Sequence, residues 1–490
     1  MGWRRSIAIA ICSMVRRGSR AVAWAIALGW VALLAGCDTS LPEVALVARR
    51  ASAPAAGNVS ELTAWYPIVL YSQWPGELLL SAVQRSDGQP LSLTATGYDI
   101  IETDFRDHLL AAAATGNAPD VVYLTDTGYL PMLVAAGVLE PLTACRAAQP
   151  ALARIAANAW PDVTGRGEIW GVPVAQELSV LFFSKPKLRA LGWSEAEIDQ
   201  LPTRIATGDF TLLDLRDTAA AAIDAGVVQP GFGFSQRPSG STKIIEHYVA
   251  FGGRIRDTAQ DRLVITEAAL AATYAFRREM VDAGLISPYL LQGSANSWSS
   301  RLVWNDAMGH GRALFWHSQS IDWQKWLLVA DSSAERGVNP ALSLSADDVG
   351  VAGLPSAVAG LPGTLRSRFA YFVVLNEAAT GRRLQGQACA LLAQATTPQL
   401  HNAMAGSGLL SALAVSPSPA LLAGYPAGIE LLREHQQVWP SYIDHDVLEY
   451  ERILAEFALE VHQGRLTPTA AATAAARRLR LTLGDDLIME

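Results

Sequence analysis

Residues Asp104 to Thr143, DFRDHLLAAAATGNAPDVVYLTDTGYLPMLVAAGVLEPLT, decide the fold, because they read as helix, strand, loop and helix. Phe105, Leu109, Leu110, Ala112 and Ala113 recur at helical spacing, Gly116 suits a left-handed C-cap, and Pro119 forbids continuation. The apolar run Val121 to Leu124 suits a buried parallel strand, and Thr125 to Gly128 make a polar loop before a second helix that ends at Gly137. In an open α/β sheet, ligands meet such loops at the carboxyl ends of strands and the amino ends of helices. This is the geometry of a binding cleft without a catalytic group, and Asp126 is the acidic side chain that the loop offers.

Outward from that stretch, a chain of 490 residues, 50% hydrophobic and 17% charged, buries ample core and exceeds one ordinary domain, so two lobes are expected. At the amino end, several Arg precede an apolar run from Ala21 to Ala35 that closes on Leu34-Ala35-Gly36-Cys37. The run is shorter than the roughly 20 residues that span a bilayer, so it reads as a lipoprotein signal peptide over 1–36, with Cys37 lipidated (palmitate) and no permanent transmembrane helix. Arg16-Arg17 leaves Sec and twin-arginine export both open. Removing 1–36 takes away five Arg and no acid, lowering the net charge from -8 to -13, a poor balance for binding nucleic acid. Residues 37–58, with RRASAPAAGN, read as a flexible tether, and folding is expected to begin near Val59. Cys145 and Cys389 could pair outside the cytoplasm, but each sits in an apolar helical context and nothing sets their distance, which favours two separate buried thiols.

Further motifs follow in order: TGNAPDVVYL with LVAAGVLEPLT; Arg166 to Lys185, containing G-E-I-W-G-V-P; Gly252-Gly253; Gly311 to Trp316; Asp347 to Pro355; Thr397-Pro-Gln; and a closing G-R-L-T-P-T-A-A after His462. Together they resemble the family 1 extracellular solute-binding proteins, the maltose-binding-protein-like receptors of carbohydrate ABC importers, from about Val59 to Arg480. The resemblance implies an α/β fold of two lobes, of the type II periplasmic-binding-protein kind, with hinge crossovers. It implies lobe I over 59–176 plus 376–410, lobe II over 181–368 plus 415–490, and hinges at 177–180, 369–375 and 411–414. It also implies a lipid-anchored monomer in the cell envelope, facing the periplasm or exterior, that captures a mono- or oligosaccharide and delivers it to a membrane permease. Ser239 to Thr242 stand at the family's second ligand loop, and Glu177 at a crossover position that often touches ligand.

No G-x-S-x-G elbow, Walker A loop or metal-spaced His set is present, so no enzyme, cofactor or metal is expected, and the eight His read as solvated. Eleven Trp remain after the leader, five of them between Trp298 and Trp326. Flat rings stack on the apolar faces of sugars. Trp323 and Trp326 have the spacing of core packing, whereas Trp316 ends a strand, with His317 to Ser320 as its loop. The expected ligand contacts are therefore Trp65, Tyr66, Asp126, Glu177, Trp316 and Gln319, with Arg366 or Arg368 reaching the cleft or lying outside it. Glu177 would exchange water for ligand, so its loss should leave the free protein's melting temperature unchanged. The rival readings are a lipid-anchored carbohydrate-active enzyme, a receptor for a cation such as a polyamine, and a sensor's receptor.

Overall fold

The decisive stretch folds as its sequence reads. The helix Glu102–Ala114 ends where Asn117 N–H donates back to Ala112 O and Gly116 takes φ +69°. The strand Val121–Leu124 is buried throughout, and the helix Tyr129–Ala135 is followed by Gly137 at φ +67°. Positive φ costs glycine nothing and other residues a clash, which is why both helices stop there. The computed structural model describes residues 48–53, 60–67, 74–85, 91–98, 102–124, 129–236, 243–257, 259–260, 262–287, 308–323, 326, 345–398, 410–414, 426 and 445–490. Cys37, Asp126, Ser239 to Thr242, Trp298 and Trp304 lie outside the described residues.

The strand Ser60–Pro67 runs parallel to both Leu91–Tyr98 and Val121–Leu124, with helices Trp74–Arg85 and Glu102–Ala114 as the crossovers. One element departs from expectation. Ala48–Ala53, read as tether, is a strand antiparallel to Leu91–Tyr98, with Ala48 opposite Tyr98 and Ala53 opposite Leu93. Pairing there covers the exposed edge of the parallel sheet. ARRASA has no alternation of apolar and polar residues that would have announced a strand.

The sheet continues without a break into the second lobe through Val172–Ser184, a single strand of 13 residues, all buried. It pairs antiparallel with Arg366–Val374, Leu410–Ser411, Phe315–Gln319 and Val349–Ala352. Its first residues, Val172, Val174 and Ala175, join the core of lobe I with Phe369 to Leu375 and Ala412. The following residues join cores on the other side: Leu181 and Phe183 in one, Leu178, Val180 and Phe182 in another. Among the described residues, Val172–Ser184 contributes to cores on both sides, and the stretch Leu410 to Leu413 does so too.

Helices cover this second part of the sheet. Ser194 with Glu197, and Thr211 with Asp214, form capping boxes at the starts of Glu195–Thr207 and Leu212–Asp224, each satisfying two otherwise orphaned N–H groups. Helices Lys243–Ala250, Glu267–Asp282, His445–His462 and Pro468–Leu483 pack into a further core. Cys145 and Cys389 are joined in a disulfide with Cα atoms 5.9 Å apart, correcting the expectation of separate thiols. Helix Gln385–Ala395 returns beside Thr143–Ala148 after 244 residues, a proximity that no local pattern encodes.

Candidate functional site

Residues directly opposite each other in a sheet share a face, and alternate residues share it along a strand. Arg366 lies opposite Ser179, Ser179 opposite Gln319, Arg368 opposite Glu177, and His317 opposite Gln236. One face of the sheet, where the lobes join, therefore carries Glu177, Ser179, Gln236, His317, Gln319, Arg366 and Arg368. Glu246 and His247 of Lys243–Ala250, Arg277 of Glu267–Asp282 and Glu451 of His445–His462 supply partners from the covering helices.

Burying charge is costly unless it is paired or hydrogen-bonded, and each of these charges has such partners. Arg366 Nη2 donates to Glu451 Oε1 at 3.0 Å, and Arg368 Nη2 lies 3.5 Å from Glu177 Oε2. Glu246 Oε2 accepts from Ser179 Oγ at 2.6 Å and lies 2.9 Å from His317 Nε2, itself 3.2 Å from Ser179 Oγ. The rings of His317 and His247 stack with centroids 5.8 Å apart. Beyond them, Arg277 donates to Gln236 Oε1 and to His462 Nε2, each at 3.2 Å. Burial lowers Arg277 to about 10. Burial, aided by the charges of Arg277 and Arg278, lowers His462 to about 2, so it is a neutral acceptor. On the lobe I side, burial raises Asp162 to about 7, against the pull of Arg366 and Arg368, while Phe369 N–H donates to it. Burial and then the charge of Glu177 push the Tyr123 hydroxyl up, so strand Val121–Leu124 also borders this face.

Serine, histidine and glutamate together suggest a hydrolytic triad, but the geometry does not make one. A relay needs the nucleophile and the carboxylate on opposite ring nitrogens. Here Ser179 Oγ and Glu246 Oε2 both address Nε2. The arrangement is therefore not a serine-histidine-carboxylate relay.

The structure separates the residues singled out from sequence. Glu177 and Gln319 lie on the polar face, and both are buried. Trp316, 1% exposed, lies on the opposite face, stacked on Phe182 at 5.8 Å and edge-on to Trp326 at 6.1 Å, so its ring is core. Trp65, half-buried in lobe I, stacks on His108 at 5.0 Å and meets Tyr98 edge-on at 5.0 Å. Tyr66 is buried against Gly76, where an added Cβ would lie 2.6 Å from its ring. His317 to Gln319 belong to the strand Phe315–Gln319 rather than to a loop. The expectation of solvated histidines fails for His247 and His317, both 0% exposed, because neighbouring polar groups replace water. Sequence reasoning missed Ser179, Glu246, Arg277 and Glu451. The available signal was a polar residue inside an apolar run, as in Leu178-Ser179-Val180 and in Ile245-Glu246-His247-Tyr248.

A mixed sheet continuous through Val172–Ser184, with a buried polar layer on one face, fits the class that the solved structures define: the fold is that of the two-lobe, MalE-like periplasmic binding proteins. Residues 101–295 match the model of the family described as bacterial extracellular solute-binding protein, in keeping with the resemblance drawn from the motifs. No curated protein matches the chain in sequence. Among solved structures, maltose-bound MalE3 of T. maritima is 18% identical with a TM-score of 0.66, over 86% of this chain and 100% of that one. The GacH receptor of Streptomyces glaucescens, solved unliganded and with acarbose, is 14% identical with a TM-score of 0.64, over 87% and 98%. The sugar-binding protein MalE of Xanthomonas citri is 17% identical with a TM-score of 0.64, over 86% and 97%.

Proposed function

We propose that this protein is the substrate-binding subunit of an ABC importer, anchored by lipid on Cys37, that closes two lobes on a carbohydrate and delivers it to a membrane permease. The observation that carries the ligand class is the charge balance of the polar face. Arg277, Arg366 and Arg368 stand beside Glu177, Glu246 and Glu451, and two of these Arg bind two of these Glu directly. A layer in which three guanidiniums face Glu177, Glu246, Glu451 and the partly ionised Asp162 is close to balanced, and it favours a neutral ligand rich in hydroxyls over a polyamine. Glu177 and Gln319 are the contacts we assign from this face, with Asp126 from the loop of lobe I. Trp65, Tyr66 and Trp316 are left as packing residues. The disulfide between Cys145 and Cys389 supports a site of action outside the cytoplasm, where such bonds persist.

Hinge closure needs a ligand that binds the closed form better than the open one. Titration calorimetry of the protein lacking 1–36, against mono- and oligosaccharides and polyamines, tests the proposal. Heat from a sugar, a smaller radius of gyration in solution scattering and no released products are the expected results. Heat from polyamines alone would replace the ligand class, and products accumulating in proportion to protein would replace the binding role.

A further inference from the structure

Five large apolar side chains are exposed among the described residues: Leu213, Val358, Leu361, Leu481 and Met489. Three of them meet at one corner of lobe II. Leu212 N–H donates to Ser356 O, Val358 N–H to Ser356 Oγ, Leu361 N–H to Val358 O, and Gly360 N–H to Gly208 O. Gly208 takes φ +79° after helix Glu195–Thr207, and a Cβ there would lie 2.5 Å from Leu361 O, so the two segments touch through backbone. Beneath them Ile205, Phe210, Leu212 and Leu354 are core. A well-packed base therefore leaves Leu213, Val358 and Leu361 between 41% and 48% exposed, and that uncovered apolar area gains nothing from folding.

Beside this corner lies a hollow of about 390 Å³ lined in part by Trp193, Arg204, Phe210, Asp214 and Asp217. The surroundings are acidic. Residues 191–224 hold seven carboxylates and two guanidiniums. Both guanidiniums are engaged, Arg204 5.5 Å from the Phe210 ring and 6.0 Å from that of Trp193 and Arg216 on Asp217 and Glu279, and Arg189, just before this stretch, binds Glu195, which leaves the other carboxylates in excess. Glu195, Glu197, Asp199, Asp209, Asp214 and Asp217 are exposed.

We propose that this corner is a docking surface for an extracytoplasmic loop of the permease, a segment that offers an apolar side chain flanked by Lys or Arg. The inference rests on the importer reading above and adds to it where the partner touches. Charge complementarity selects the occupant. An apolar patch in an acidic field attracts a basic, amphipathic segment, and it repels a second copy of this acidic chain.

The test uses the full chain in its native host with the resident copy deleted. Leu213→Asp/Leu361→Asp changes exposed side chains only, so its melting temperature should stay within about 2 °C of the parent. Calorimetry should give sugar affinity within about twofold of the parent, while uptake of that sugar falls at least tenfold. A photo-crosslinking residue at position 361 should give an adduct with an integral membrane protein. Uptake within twofold of the parent, a parallel loss of affinity, or an adduct only with a second copy would each overturn the proposal. A parent chain that binds no sugar sinks the importer reading instead, and the crosslink still reports on the surface.

Discussion

The two faces of the crossover sheet are built from the same strands, one residue apart, and are chemically opposite. Leu178, Val180 and Phe182 join Trp316, Trp323 and Trp326 in a largely aromatic core, in which Ser318 and Asp322 bond to each other. Glu177, Ser179, His317, Gln319 and Arg366, alternating with them, form a buried polar layer whose partners come from Lys243–Ala250 and His445–His462. Both faces are inaccessible in the structure, so burial does not distinguish core from site. What distinguishes them is how the cost of removing water is met: by packing on one side, and by specific partners on the other.

The largest effect is expected on the aromatic face. Trp316→Ala should cost about 3–5 kcal/mol of stability, the scale of a large side chain removed from a packed core, while the remaining folded protein binds sugar within about twofold of the parent. Chemical denaturation and calorimetry together check this; a large loss of affinity would return Trp316 to the site.

On the polar face, Glu451→Leu leaves Arg366 buried without its carboxylate and should cost about 3 kcal/mol, whereas Arg366→Met/Glu451→Leu should restore most of it. A double-mutant cycle in urea reads the coupling. Additive losses would mean that the pair, at 3.0 Å, contributes no mutual term.

Glu177 sharpens the comparison, since it has a protein partner as well as an assigned ligand. Its ion pair with Arg368 revises the expectation of an unchanged melting temperature. Glu177→Ala should lower stability by about 1–3 kcal/mol and weaken sugar binding by about 1.5–3 kcal/mol, with Glu177→Gln milder in both. Stability lost without any change in affinity would make Glu177 a structural residue alone.

The smallest effect is one of pH. Asp162 is raised to about 7 in the folded chain by burial, above the ordinary carboxylate value that applies when unfolded. Between those values the folded form holds the extra proton, so its contribution is fully present below about pH 4 and is lost as pH rises through 7. The parent minus Asp162→Asn difference in melting temperature should therefore shift against the parent between pH 5 and pH 8. A flat difference would show that solvent, Arg366 and Arg368 compensate the half-buried carboxylate.

What the sequence determined by itself is local. Gly116, Pro119 and Gly137 bound two helices because the sign of φ and a missing N–H act within one turn. The Ser194/Glu197 and Thr211/Asp214 boxes start two more in the same way. The family resemblance put Glu177 at a crossover, and it lies within the buried strand Val172–Ser184. Tertiary structure decided the partners. Ser179, Glu246 and His317 are separated by 67 and 138 residues, Arg366 and Glu451 by 85, and the two cysteines by 244. Strand register and helix placement bring them together, and those are set by packing summed over whole cores. For the same reason Trp316 and His317, neighbours in sequence, face opposite ways: one became core and the other joined the polar layer.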